Sequence, residues 1–367
     1  MESYQYIIEF ITQYPPIIYW AWILSGVFIL IITFLIIYLK YLRNRLRSKE
    51  RIQKTYQKKY ESELITYLYS GNEEEEISIE QQNIINYFKK HSNSGLKRKI
   101  IIATLLKLKN DISGEMADSI QNLYYQTELV NYPTGKLKSK SWDIIAKSIR
   151  ELTQFQIKES YDAVTHHVNH PKREVRKEVQ MYLVNLFYFK GLDFLNVLKS
   201  HLTEWDQIQL LEILQKFDNQ HIPNINDWLK SSNDSVVVFT LKLAKIYNQF
   251  EAKDELLLLL DHQNKSIRVD AINVLAHLNA VEAIPIIKKE FSNRSLEEQI
   301  AFFNMLQNMN DISDIPFILD YLNKDNFEIR ISAIKILKEL NFDNFNTFKM
   351  MPTDPKIDEN VKFIETA

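Results

Sequence analysis

The sequence predicts an all-α protein in which one N-terminal transmembrane helix leads into an α-solenoid of stacked helix pairs. Three observations carry that reading. The 367 residues include 6 glycines, where average usage near ~7% would supply about 26, and turn-rich β architectures need far more. Residues 17–39 carry no charge. Beyond them, Pro223, Pro285 and Pro316 lie on one 31-residue grid, with Asp254 on the vacant mark, and Val236, Ile267, Glu298 and Ile329 lie on a second grid of the same period. A fixed period of this length marks an array in which each unit buries its apolar face only against its neighbours.

The apolar segment Ile17–Leu39 reads IIYWAWILSGVFILIITFLIIYL. At ~1.5 Å per residue it forms a helix of about 34 Å, enough to cross a hydrocarbon core of roughly 30 Å. Tyr19, Trp20 and Trp22 mark one membrane interface, and Tyr38 and Tyr41 the other. A cleaved signal peptide would need a basic start, a shorter apolar core and a small-residue cleavage site; the sequence has none of these. Glu2 and Glu9 precede the span without any Lys or Arg, whereas Lys40, Arg43, Arg45, Arg47, Lys49, Arg51, Lys54, Lys58 and Lys59 follow it against Glu50 alone. The positive-inside rule therefore predicts a single-pass inner-membrane protein with residues 1–16 outside and the solenoid in the cytoplasm. The same basic run attracts anionic head groups, so membrane lipid is one expected partner.

Residues 40–72 have few helix breakers and are predicted to extend the span as a basic juxtamembrane helix that stops at Ser70, Gly71 and Asn72. The acidic run Glu73–Glu76 suits a helix start. Residues 73–139 read as an irregular helical cap: helices over Ile79–Lys90, Leu96–Lys109 and Ser113–Tyr125, then a loop at Asn131–Gly135. The repeats occupy 140–345, and 346–367 form a tail.

Within Lys265–Leu278, Ile267, Ala271, Val274, Leu275 and Leu278 share one helical face. A shift of 31 gives Ile329, Ala333, Ile336, Leu337 and Leu340; the opposite shift gives Val236, Thr240, Leu243, Ala244 and Tyr247. Phe302, Met305, Leu306 and Met309 mark a further unit, and Val175, Val179, Tyr182, Leu183 and Leu186 an earlier one slightly off the grid. Leu210, Leu211, Ile213 and Leu214 fill the gap, so six units are countable, and Ile144–Leu152 opens a seventh. Each unit has a shorter leading helix, as in Ile222–Leu229, Ile284–Phe291 and Ile315–Leu322. Proline suits the first turn of these, where its missing N–H is no loss. Ser295 with Glu298 reads as a capping box at the start of a second helix.

The segments His170–Arg176 (HPKREVR), Asn264–Ala271 (NKSIRVDA) and Asn326–Ala333 (NFEIRISA) resemble HEAT repeats, and the short unit is similar to the phycobilisome-lyase-like HEAT class. Residues 95–129 resemble the N-terminal part of membrane-anchored bacterial HEAT-repeat proteins. The resemblance implies an α-solenoid of HEAT-like helix pairs and a scaffold or adaptor role, as an accessory to an envelope or glycan-assembly system. A lyase-like enzyme or a nucleic-acid-binding HEAT protein is the alternative.

The side chains bear on that choice. With no cysteine, disulfides, thiolate metal sites and cysteine nucleophiles are excluded. A net charge of -2 gives no reason to expect nucleic acid. Nucleophile, phosphate-loop and dinucleotide motifs are missing, so no enzyme, metal or cofactor role is predicted. His166, His167 and His170 are the one dense histidine cluster; without the glutamate of a metalloprotease helix, and with Pro171 ending the helix, they read as a solvated turn. Arg176, Arg268 and Arg330 recur at one site in three units, with Val237 and Gln299 in the same row. They are either braces for neighbouring turns or a basic ridge for a partner. Lys242, Asn273 and Lys335 lie between core positions and complete the candidate contacts for a protein partner in a membrane-associated complex.

Overall fold

The structure is a computed structural model that describes residues 16–71, 77–217, 222–322 and 326–340. Most of the N-terminal segment 1–16, the Glu73–Glu76 run and the 346–367 tail lie outside the described residues, as do the side chains of Ile17 and Tyr19. Among the described residues there are helices and no strands. The chain divides into two compact units, Met1–Tyr132 and Pro133–Ala367.

The first unit is dominated by α1 (Pro16–Tyr69). Its leading part meets no other element: side chains from Trp20 to Tyr41 are exposed, Trp22 to 76%. No other described helix is long and apolar enough to cross a membrane. Its far end is different, because Tyr60, Leu64 and Tyr67 are buried where α1 packs on α2 (Ile79–Ser92) and α3 (Gly95–Asp111). A further helix, α4 (Glu115–Gln126), closes on α3 with Ile120, Leu123 and Tyr124 buried. One side chain ties the turn after α1: Gln81 shares a capping box with Ser78 and donates to the Tyr67 carbonyl at 3.1 Å, satisfying an end group that α1 cannot. The expected loop at Asn131–Gly135 is instead a short helix, α5 (Asn131–Lys136). Pro133 falls in its first turn, where proline costs no hydrogen bond.

The second unit alternates short and long helices. It begins with α6 (Trp142–Gln154), α7 (Tyr161–Thr165), α8 (Arg173–Phe187), α9 (Glu204–Leu214) and α10 (Asn226–Leu229). It continues with α11 (Asp234–Ile246), α12 (Lys253–Leu258), α13 (Lys265–His277), α14 (Ala283–Lys289), α15 (Leu296–Met309), α16 (Ile315–Leu319) and α17 (Phe327–Leu340). The long second helices, α6, α8, α9, α11, α13, α15 and α17, start 31 residues apart except for one step of 30 between α9 and α11. That single missing residue is why Val175 falls off the grid of Ile267. Sequential neighbours pack: α6 on α8, α8 on α9, α11 on α13, α13 on α15 and α15 on α17. Ile267, Ala271, Val274 and Leu275 are buried there, as are Ile329, Ala333, Ile336 and Leu337 one unit on.

Caps keep the same register. Thr203 and Ser295 form capping boxes with Asp206 and Glu298, and Asn233 and Asn264 accept from the backbone two residues on. Pro285 and Pro316 sit in the first turns of α14 and α16, but Ile222, Pro223 and Asn224 precede α10 instead of entering it. Asn224 accepts from the Asn226 N–H at 2.8 Å, and that local bond competes with a helix beginning earlier.

Candidate functional site

Three rows of side chains run across the second helices, and they do different work. In the arginine row Arg176, Gln207, Arg268 and Gln299 donate to carbonyls of the turn before their own helices. The Nη1 of Arg176 reaches the carbonyls of His170 (2.8 Å) and Pro171 (3.0 Å), and that of Arg268 those of His262 (2.7 Å) and Gln263 (3.1 Å). Gln207 and Gln299 occupy the same site in the units between and do the same, Gln299 to Phe291 and Arg294 at 3.1 Å each. Arg330 is buried. A long donor at this site satisfies otherwise orphaned carbonyls, although Val237 fills it in one unit without donating. Arg176 and Arg268 therefore brace the turns before their helices, the first of the two readings of this row.

The second row is the core position of Ile267 and Ile329, where two units carry an acid. Glu298 is fully buried and takes Arg268 on both oxygens, at 2.8 and 3.0 Å, with Arg294 at 3.3 Å. Burial alone pushes its carboxyl up, but hydrogen bonds from Arg268 and Ser295 outweigh it and hold the pKa at about 2. Asp206 repeats the design with Arg173 at 3.0 Å, and there too bonds from Thr203 and Arg173 outweigh burial and lower the pKa. Both acids tie one unit to the previous one. A cavity of about 350 Å³ beside Glu298, lined by Asp261, His262, Arg268 and Arg294, belongs to this clamp.

The third row is the open one. Ile208, Val238, Val269, Ile300 and Ile331 stand at the same site of five consecutive second helices. Ile208 is 51% exposed, Val238, Val269 and Ile300 are half-buried, and Ile331 is buried. One turn further along lie Glu212, Lys242, Asn273, Asn304 and Lys335, so the candidates Lys242, Asn273 and Lys335 do share a face. Asn273, Asn304 and Lys335 are exposed, and Lys242 is half-buried with its ammonium on Gln207 Oε1 at 2.8 Å. Beside Val269, Asp270 is half-buried; burial raises its pKa against the opposing pull of Lys242 and Lys245. Exposed charges of both signs border the face, Glu204, Asp234, Lys265 and Glu328 where the helices begin and Lys216, Lys245 and Glu339 where they end. The aliphatic row escaped the sequence reading, although Val238, Val269, Ile300 and Ile331 are spaced by 31.

Other candidates separate from this face. His166 and His170 do not share a helix, since α7 stops at Thr165 and a turn follows. Burial, and then His170 nearby, lower the His167 pKa. Among the described residues no group of three or more His, Asp or Glu is placed to hold a metal. Trp20, Trp22, Tyr38 and Tyr41 are exposed on α1.

No protein-family model and no curated protein matches the chain. Among solved structures it is similar to an engineered protein (TM-score 0.35, 12% identity, 83% of this chain and 97% of that one). It is also similar to the complex of CpcE and CpcF of phycocyanin lyase from a Nostoc species (TM-score 0.24, 11% identity, 81% and 99%). A designed armadillo repeat protein is a third (TM-score 0.21, 15% identity, 76% and 98%).

Proposed function

We propose that the protein is a single-pass scaffold of the HEAT-repeat type, which docks a partner protein on the open face of its second helices. In this reading α1 crosses the inner membrane with its N-terminus outside, the solenoid lies in the cytoplasm, and the partner belongs to a membrane-associated envelope assembly. One observation carries the docking step: the row Ile208–Val238–Val269–Ile300 keeps apolar side chains part-exposed on four consecutive second helices. The first two second helices place Ala146 and Lys177 at that site and stack regardless. Contiguous apolar surface rimmed by charge is the character of a protein-binding site. Lys242, Asn273 and Lys335 form its polar border, while the braced arginines contribute rigidity.

The test is co-purification in mild detergent. Val238→Asp with Val269→Asp should leave the protein folded and in the membrane fraction, yet lose the partner retained by wild type. Replacing residues 17–39 by a foreign span of the same orientation should keep it. External protease on right-side-out vesicles should spare the solenoid. Retention of the partner by the double variant, with normal membrane association, would sink the docking reading; digestion from outside would reverse the topology.

A further inference from the structure

We infer that the first cations after the span, Lys40, Arg43, Arg45, Arg47 and Lys49, form a collar that binds the headgroups of anionic phospholipids, and that the cations further along α1 take no part. The inference rests on the membrane-crossing part of the reading above and is independent of the docking part. The basic run is continuous in sequence from Lys40 to Lys59, so two arrangements are open to it. A helix lying in the interface presses the whole run on the lipid. A helix standing on its span brings only the nearest cations there. α1 is unbroken from Pro16 to Tyr69, and between Lys40 and Tyr69 it has neither proline nor glycine to kink it. At ~1.5 Å per residue beyond Leu39, Arg43, Arg45 and Arg47 stand about 6, 9 and 12 Å from the hydrocarbon edge, and Lys54 and Lys58 about 22 and 28 Å. The headgroup layer takes up about 5–8 Å of that distance, and the surface potential fades over about 8 Å more at physiological salt. Even tilted by about 40°, the upper end for membrane helices, α1 keeps Lys54 and Lys58 about 17 and 22 Å away.

The distribution of side chains round the helix agrees with the upright arrangement. All five collar cations are exposed, and none is ion-paired among the described residues; the one acid of the run, Glu50, is taken by Lys54 at 2.7 Å. At about 100° per residue, Lys40, Arg43 and Arg47 fall on one side of α1, and Arg45 and Lys49 on the opposite side. Leu42, Leu46, Ile52 and Tyr56 share that second side, with Arg45 and Lys49 standing among them. A helix laid flat on those apolar residues would push Arg45 and Lys49 toward the acyl chains, where a charge is expensive. Cations on both sides instead suit a helix ringed by headgroups. Zwitterionic lipids already carry their own cation, so the unpaired charges select lipids with net negative charge.

The chain has no cysteine, so Asn44→Cys, at an exposed site within the collar, takes a single donor fluorophore. The labelled full chain is reconstituted in phosphatidylcholine vesicles holding a minor fraction of phosphatidylglycerol, with a trace of either lipid carrying an acceptor. Energy transfer should report phosphatidylglycerol enriched about fivefold over phosphatidylcholine round the donor, the worth of one cation near the surface. Arg43→Gln with Arg45→Gln and Arg47→Gln should abolish the enrichment. Arg51→Gln with Lys54→Gln and Lys58→Gln should leave it unchanged. All six positions precede Tyr60, the first buried residue of α1, so thermal melting should match the parent in both variants. Equal losses in the two variants would overturn the upright collar in favour of a helix on the surface, and no enrichment in the parent would overturn the lipid site altogether. A chain that fails to float with vesicles of phosphatidylcholine alone would overturn the membrane span itself, a failure separate from that of the collar.

Discussion

Glu298→Gln is a substitution whose effect can be sized from the geometry. It keeps the shape of a fully buried side chain but removes the charge that holds Arg268 and Arg294. Breaking one partner of a buried pair typically costs about 3–5 kcal/mol, because the other charge is left uncompensated. Linkage gives a similar size. A carboxyl held at about 2 against an ordinary 4.5 contributes up to about 3 kcal/mol at neutral pH, at 1.36 kcal/mol per unit. The folded pKa is the lower one, so this stability is complete above the unfolded value of 4.5 and drains away as pH falls through about 2. At pH 3 less than half should remain, about 1.4 kcal/mol.

The assay is hydrogen exchange across a urea series, read from peptides of α13 and α15, because whole-chain melting mixes two compact units. Glu298→Gln should lower local stability by about 3 kcal/mol at pH 7 and by about half that at pH 3. Adding Arg268→Val, the residue that Val237 supplies one unit earlier, to Glu298→Ile should recover part of what Glu298→Ile alone loses, since one orphaned guanidinium is gone. A loss at pH 7 below about 0.5 kcal/mol, within the range of ordinary surface changes, or a loss of equal size at both pH values, would refute the clamp.

Two further outcomes follow from packing. Ala271 is fully buried where α13 meets its neighbours, so Ala271→Asp should cost several kcal/mol and raise exchange in α11 and α15 as well as α13; damage confined to α13 would contradict the stacked register. A Cβ added at Gly191 would lie 2.2 Å from the Leu183 carbonyl oxygen, so Gly191→Ala should destabilise by about 1–3 kcal/mol. Faster exchange should appear in peptides around 183–195, and an unchanged rate there would show that the segment can shift at no cost.

The repeat was legible because its core obeys one period. Once Ile267, Ala271 and Leu275 are placed on a face, Ile329, Ala333 and Leu337 follow by addition. Glu298 was visible too, as an acid on an apolar grid, but its reason was not. Nothing local says that Arg268, 30 residues away, will reach it. Asp206 was hidden by the 30-residue step after α9. Gln299 looked like a departure from the arginine row, yet an amide and a guanidinium both donate to a carbonyl, so the job survives the change of residue. The loop signal at Asn131–Gly135 failed because Pro133 and Gly135 are equally at home in a short helix. The candidate face was half-legible: Lys242, Asn273 and Lys335 were found by position, while the aliphatic row beside them was passed over as ordinary helix surface.

That row is where folding and function part company. Valine and isoleucine are weaker helix formers than the leucine, lysine or alanine that the site could carry, and at half-exposed positions the packing return for accepting them is small. Lys177 shows that a charged residue serves at the same site of a stacked second helix, and Ala146 that a small one does. Neither the brace row nor the buried acids depend on it, since both point into the turns and the core. Four branched aliphatics, Ile208, Val238, Val269 and Ile300, therefore reduce helix propensity and leave part of their apolar area in water, whereas Ile331 is buried. In the docking reading proposed above, an apolar partner surface covers them. The braces bear on the same reading from below: with the supporting turns fixed by Arg176, Gln207, Arg268 and Gln299, the proposed docking would cost the face little freedom, so more of the contact energy would survive as affinity.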